Sequence, residues 1–254
     1  MCKYQVYHKM YIYTWIDSTF NIIVTTGHNG NYLDNTELIV LNGNCSATLP
    51  NYPRNLRGAT GVFINESLMI CGGEYPSSLF GTNECFKLSK DGIKFDPISP
   101  MNEKRWFASS VVTNDGKMWV TGGNGGTNND LLASTEIIDP QDSNITSIGI
   151  DLPEPIYGHV IIALNSTTSF LIGGRTTGVL NSNKTHYFHH EVNMWTTGPY
   201  LLNGRSWHAA AMIKDDVTLA EHIVVVGGAR NEYENGTEVE IMFNSENQWT
   251  QGTQ

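Results

Sequence analysis

No run of 18 apolar residues occurs in the 254-residue sequence, which excludes a transmembrane helix. Sustained 3.6-residue apolar periodicity is missing as well, so long amphipathic helices are not expected. Basic residues are scarce: 15 Lys and Arg stand against 25 Asp and Glu, a formal net charge of −10. Binding nucleic acid through its backbone needs a basic surface, so nucleic acid is not expected as a partner. The N-terminal "MCKYQVYHKMYIYTWIDSTF" starts basic, but its apolar part is short and interrupted by Thr14. It reads as a partial strand rather than a signal peptide.

Glycine, by contrast, is plentiful at 25 residues, and with the missing helical pattern it points to an all-β chain rich in turns. In "KMWVTGGNGGTNND" (Lys117 to Asp130) a strand breaks at two double glycines. A phosphate-binding loop would need a helix or a Gly-Lys-Ser/Thr to follow, and neither does. Instead the motif recurs. "SLMICGG", "KMWVTGG", "SFLIGG" and "HIVVVGG", with a weaker "NIIVTTG", end at Gly27, Gly73, Gly123, Gly174 and Gly228, roughly 50 residues apart. Each period holds a strand before the glycines ("WFASSVVT", "WHAAAMI") and a variable loop after them. A third strand follows ("TELIVL", "NECFKL", "TEIIDP", "THYFHH", "VEIMFN"), then a fourth ending near Trp195 or Trp249. Four short antiparallel strands per period make one blade of a propeller, and stacked blades bury each other's faces. The glycines are expected to end the second strand, where backbone packs closely or takes dihedrals closed to other residues.

The double glycine, the acidic residue opening the third strand (Glu37, Glu84, Glu136, Glu238), the tryptophan, and the arginine before the next first strand (Arg57, Arg105, Arg205) together resemble the kelch-repeat family. The resemblance runs from about residue 10 to 251. It departs at Ile145 near the tryptophan position, at Tyr157 in place of the arginine, at "KTHYF" without the acid, and at the single Gly27. It implies one propeller domain over residues 1–254, with blades near 10–50, 57–98, 106–150, 157–199 and 205–251. Kelch propellers commonly close with six blades, so the five visible here are expected to be a fragment of a six-bladed ring, with a five-bladed ring as the alternative. The resemblance also implies a role as an adaptor, an actin-associated protein or an extracellular binding module.

Catalysis finds little support. No Gly-x-Ser-x-Gly or His-Glu-x-x-His motif is present. The ligand set of kelch-like copper oxidases and the Ser-x-Asp-x-Gly-x-Thr-Trp boxes of sialidases are also missing. His159 and His208 hold similar places at the start of a first strand, but Ala59 and Ala108 fill those places elsewhere, so no third metal ligand is evident. His189 and His190 are adjacent and face opposite sides of a strand. No cofactor, metal or enzymatic activity is therefore expected; an enzyme or metal protein using the axial channel is the alternative.

Cys71 and Cys85 fall on neighbouring strands of one blade, a cross-strand placement compatible either with a disulfide or with two buried thiols. Cys2 and Cys45 have no obvious geometry. Sequons stand at Asn44, Asn65, Asn144, Asn165, Asn183 and Asn235, slightly more than chance provides, with Asn65 and Asn165 in expected turns. A glycosylated, secreted or luminal protein is the expected setting, with the cytoplasm as the alternative. The loops "EYPSSLFG", "NGGTNNDLLA", "RTTGVLNSN" and "ARNEYENG" vary most and share a face with the inter-blade connections. Tyr75, Phe80, Arg105, Arg175, Arg205, Arg230 and Tyr233 are thus the candidate contacts for a protein partner, without membrane insertion.

Overall fold

The computed structural model describes residues 13–16, 22–28, 32–39, 49–65, 67–76, 80–126, 130–140, 145–178, 181–215, 218–230, 236–243 and 247–252. All regular structure there is β, in antiparallel sheets joined in sequence order. The first sheet holds β1 (Tyr13–Ile16), β2 (Ile22–His28) and β3 (Tyr32–Ile39). The second holds β4 (Thr60–Ile64), β5 (Ser67–Cys71), β6 (Cys85–Leu88) and β7 (Phe95–Ile98). β8 (Ser109–Val112), β9 (Met118–Thr121), β10 (Thr135–Ile138) and β11 (Ile145–Ile148) form the third. The short β12 (Ile156–Tyr157) leads into β13 (Val160–Ala163) and β14 (Thr168–Ile172) of the fourth sheet. β15 (Arg175–Thr176) returns to pair with β12, and β16 (Thr185–His189) and β17 (Met194–Thr197) complete that sheet. β18 (Ala209–Lys214), β19 (Glu221–Val226), β20 (Val239–Phe243) and β21 (Trp249–Gln251) form the fifth.

Successive sheets meet through their first strands: β4 lies beside β1 and β8, and β13 beside β8 and β18. Successive side chains point to opposite faces of a strand, and β5, β9 and β14 are buried almost throughout, so both faces of these inner sheets are covered. Val62, Met69 and Cys71 meet Ala108, Met118 and Val120 between the second and third sheets. Trp119 meets Ile161, Phe188 and Trp195 between the third and fourth, and Phe170 and Ile172 meet Ile223, Val225, Met242 and Trp249 between the fourth and fifth. Burying one such side chain contributes about 1.5–3 kcal/mol, so most of the stability resides between sheets rather than within them.

The double glycines serve these contacts. A Cβ on the first of each pair, Gly72, Gly122 or Gly173, would lie 2.4, 2.5 or 2.6 Å from the backbone carbonyl of Arg105, Ile156 or Arg205 in the next sheet. The second glycine donates its N–H to that same carbonyl: Gly73 to Arg105 at 2.9 Å, Gly123 to Ile156 and Gly174 to Arg205 at 2.8 Å. Close packing and a positive φ are both required there. Cys71 stands opposite Cys85 in the register of β5 and β6, and the two form a disulfide.

Candidate protein-binding face

The residue after the double glycine bridges back to the residue three before the first strand: Glu74 to Arg57, Asn124 to Trp106, and Ala229 to Ser206. This brings the loops after the second strands and the inter-sheet connections to one end of the molecule. Two residues before each first strand the chain turns through positive φ, at Gly58 (68°), Phe107 (52°), Gly158 (63°) and Trp207 (54°). These corners form a backbone relay from sheet to sheet. Phe107 N–H donates to Gly58 O at 2.7 Å, Gly158 N–H to Phe107 O at 2.8 Å, and Trp207 N–H to Gly158 O at 2.8 Å. Bulky residues rarely hold this conformation, so its occurrence at Phe107 and Trp207 marks imposed strain, of order 1–3 kcal/mol each.

Their rings assemble an aromatic cluster beside the corners. Phe107 contacts Trp106, Trp207 and Tyr157 at ring separations of 4.9, 5.6 and 6.4 Å, and Tyr157 contacts Trp207 at 5.9 Å. Arg175 stacks over Tyr157 (5.8 Å) and Trp207 (5.5 Å), and Arg57 over Trp106 (5.6 Å). Phe107 is buried beneath, while Trp106, Tyr157, Trp207, Arg57 and Arg175 are half-buried. Such pairs of guanidinium and ring keep a cation at the surface while removing apolar area from water.

Of the expected contacts, Phe80 is the most open, at 50% exposure. Half-buried Tyr75 donates its hydroxyl to Glu84, which also holds Arg54 at 2.9 and 3.1 Å. Arg54 is the main cause that holds the Glu84 carboxyl below its usual range. Arg230 pairs with Glu238 at 2.5 Å. Tyr233 lies outside the described residues.

Arg105 and Arg205 are corrected: they are 0% and 1% exposed and cannot meet a partner. Arg105 donates to Gly122 O (2.8 Å), Ser134 O (3.0 Å) and Glu136 Oε1 (2.8 Å). Arg205 donates to Gly227 O (2.8 Å), Glu238 O (3.2 Å) and the Glu240 carboxylate. Glu136 and Glu240 also accept backbone N–H groups, from Asn102 (2.6 Å) and Glu103 (3.1 Å), and from Leu202 (2.7 Å) and Asn203 (3.1 Å). These are two copies of one internal brace, and each buried charge is paired as its burial requires. The repeat's arginine position therefore reads Leu56, Arg105, Ile156, Arg205, and Arg57 belongs one place later, beside Trp106. Likewise Glu240, not Glu238, matches Glu136.

His159 and His208 are buried, and burial pushes both imidazoles down to about 3. His159 Nε2 lies 2.9 Å from Thr121 Oγ1. Among the described residues no three His, Cys, Asp or Glu side chains cluster to hold a metal ion. Asn65 and Asn165 occupy exposed turns as expected. Asn183 is half-buried: its Nδ2 donates to Leu201 O at 3.3 Å and its backbone carbonyl accepts Leu201 N–H at 2.8 Å. Asn83 makes the same pair of bonds to Met101, so Asn183 is also a structural tie. Asn44, Asn144, Asn235, Cys2 and Cys45 lie outside the described residues.

Trp106, Phe107 and Trp207 were not singled out from sequence. For Phe107 and Trp207 the signal was an aromatic residue at a corner where other copies place glycine.

No known family profile matches the chain. Over 170 residues it is 29% identical to the spermatocyte protein spe-26 of Caenorhabditis elegans, covering 64% of this chain and 28% of that protein. The chain thus matches less than a third of its relative's length.

Proposed function

We propose that the five sheets are blades of a kelch-type β-propeller and that the chain is a non-catalytic protein-binding module. The partner docks on the end that carries the arginine–aromatic cluster. The observation that carries this reading is the half-buried set Trp106, Tyr157 and Trp207, capped by Arg57 and Arg175 and neighboured by loops bearing Phe80. Aromatic and arginine side chains held rigid in a water-excluding patch supply most of the affinity in protein interfaces. The Cys71–Cys85 disulfide supports an extracellular or secretory setting, and the exposed Asn65 and Asn165 could carry glycans there. The reading is tested by partner capture with Phe80→Asp and Arg175→Glu variants. Capture should fall at least tenfold with the thermal transition unchanged, while Ile93→Asp at the opposite end leaves it intact. Equal loss from all three variants would contradict it.

A further inference from the structure

We propose that the outer face of the fifth sheet is a docking surface for one further four-stranded β-sheet of a defined class. That sheet carries glycine at its left-handed corner, an apolar residue two positions earlier, and no buried Arg–Glu brace. The proposal rests on the propeller reading and specifies what kind of neighbour the fifth sheet takes.

The repeat itself shows that this face is made to be covered. One and three residues before the double glycine stand Cys71 and Met69, Thr121 and Trp119, and Ile172 and Phe170. All six are at most 2% exposed, because the next sheet lies on them. The same places in the fifth sheet are Val226, which is 45% exposed, and Val224, which is half-buried. Beside them on the same face are Ala211, Ile213 (47% exposed), Ile241 and Phe243. The described positions of this face carry no Asp, Glu, Lys or Arg. An apolar sheet face of this kind marks an interaction site.

The double glycine agrees. Gly227 keeps a φ of 67°, yet the nearest atom to a Cβ there is Gly236 O at 3.5 Å. Its counterparts Gly72, Gly122 and Gly173 each meet a neighbouring sheet's carbonyl within 2.6 Å. The Gly228 N–H, counterpart of the donors Gly73, Gly123 and Gly174, meets no such carbonyl among the described residues.

What covers the face follows from an alternation. Aligned by strand register, the brace, corner and third-strand positions read Leu56, Gly58, Phe86 in the second sheet and Arg105, Phe107, Glu136 in the third. They read Ile156, Gly158, His186 in the fourth and Arg205, Trp207, Glu240 in the fifth. In the first sheet the pairings of Thr25 with Tyr13 and Thr36 match those of Thr121 with Ser109 and Thr135. The corresponding sequence positions there are Lys9, Tyr11 and Glu37. Sheets therefore alternate between a basic–aromatic–acidic class and an apolar–glycine class.

The alternation has a steric cause. A Cβ on Gly58 would lie 2.7 Å from the Phe107 ring, and one on Gly158 would lie 2.9 Å from the Trp207 indole. Each aromatic corner needs a glycine corner before it. The fifth and first sheets are both of the aromatic class, so the first cannot follow the fifth directly, because Trp207 stands where glycine is required. Alternation closes only with an even number of sheets, through one more of the glycine class. A second copy of this chain cannot supply it. Its glycine-class sheets, the second and fourth, already bury both faces, as Met69, Ile70, Phe170 and Leu171 show at 0–2% exposure.

Two extensions of the 254-residue chain test this, each adding a second copy of one of its own sheets after the last residue. One copies residues 151–200, of the glycine class, and the other residues 101–150, of the aromatic class. The readout is amide exchange at Gly228. The glycine-class extension is expected to slow it at least tenfold in a monomer, and the aromatic-class extension to leave it at the rate of the unextended chain. Equal protection by both would overturn the proposal. So would protection already present in the unextended monomer, or protection arising only in a dimer of it. Should neither extension fold, Val226→Asp in the 254-residue chain decides. Its melting temperature should shift by less than about 2 °C, while Ile172→Asp abolishes folding. A large loss from Val226→Asp would show the face already covered and overturn the proposal. Neither readout involves partner capture, so the binding reading can fail or stand independently.

Discussion

The ring of Phe107 lies against Gly58, with its Cδ1 2.7 Å from where a Gly58 Cβ would stand, and Phe107 N–H donates to the Gly58 carbonyl at 2.7 Å. One contact thus joins two sheets by both backbone and side chain, and it recurs between Gly158 and Trp207. Gly158→Ala should cost about 1–2 kcal/mol for the left-handed backbone, with a further cost for displacing the indole. Urea unfolding measures the loss, and a shift of tryptophan emission in the folded variant reports the displaced ring.

The Arg105–Glu136 brace is wholly buried. Glu136→Ala removes the buried carboxylate and leaves the guanidinium only the half-exposed Glu103, at 2.9 Å, which should cost up to about 3–5 kcal/mol. The pair Arg105→Leu with Glu136→Phe installs what the second sheet uses at Leu56 and Phe86. It should recover at least half of that loss in denaturant unfolding; no recovery would mean that the two sheet classes are not interchangeable at this place.

His159 and His208 set a pH dependence. Folded, their imidazoles protonate only near pH 3, because burial disfavours the charge; unfolded, they protonate near 6.5. As pH falls below 6.5 the unfolded chain takes up protons first, so stability declines through that window. By pH 4.5 the loss should reach about 3 kcal/mol per histidine. His159→Ala with His208→Ala, matching Ala59 and Ala108, should flatten the stability profile between pH 6.5 and 4.5.

The disulfide closes a span of 14 residues. Replacing Cys71 and Cys85 by alanine should lower stability by about 3 kcal/mol. Non-reducing peptide mapping of protein from its native source should show the bridge intact.

Strands and sheets were legible in the sequence because apolar runs closed by double glycines recur at the end of the second strand in the second to fifth sheets. The site was legible only in part. Matching by residue type placed Arg57 with Arg105 and Arg205, and Glu238 with Glu136. Hydrogen-bond register moves each assignment, because position relative to the left-handed corner decides whether an arginine points inward to a carboxylate or outward over a ring. Exposure followed the same rule: Arg105 and Arg205 are spent inside, and Arg57 and Arg175 cover the aromatic cluster. Phe107 and Trp207 escaped notice because nothing in residue type alone announces a positive φ.

The most direct test of the proposed protein binding at the loop end places a photo-crosslinking phenylalanine analogue at Phe80, and separately at Ile93, in protein exposed to extract from its native source. Phe80 is 50% exposed at the proposed binding end, and Ile93 is 70% exposed on a turn at the other. A defined polypeptide adduct from position 80, suppressed by Arg175→Glu and not formed from position 93, is the predicted result. Adducts from position 93 alone, or equal adducts from both, would contradict binding at the loop end.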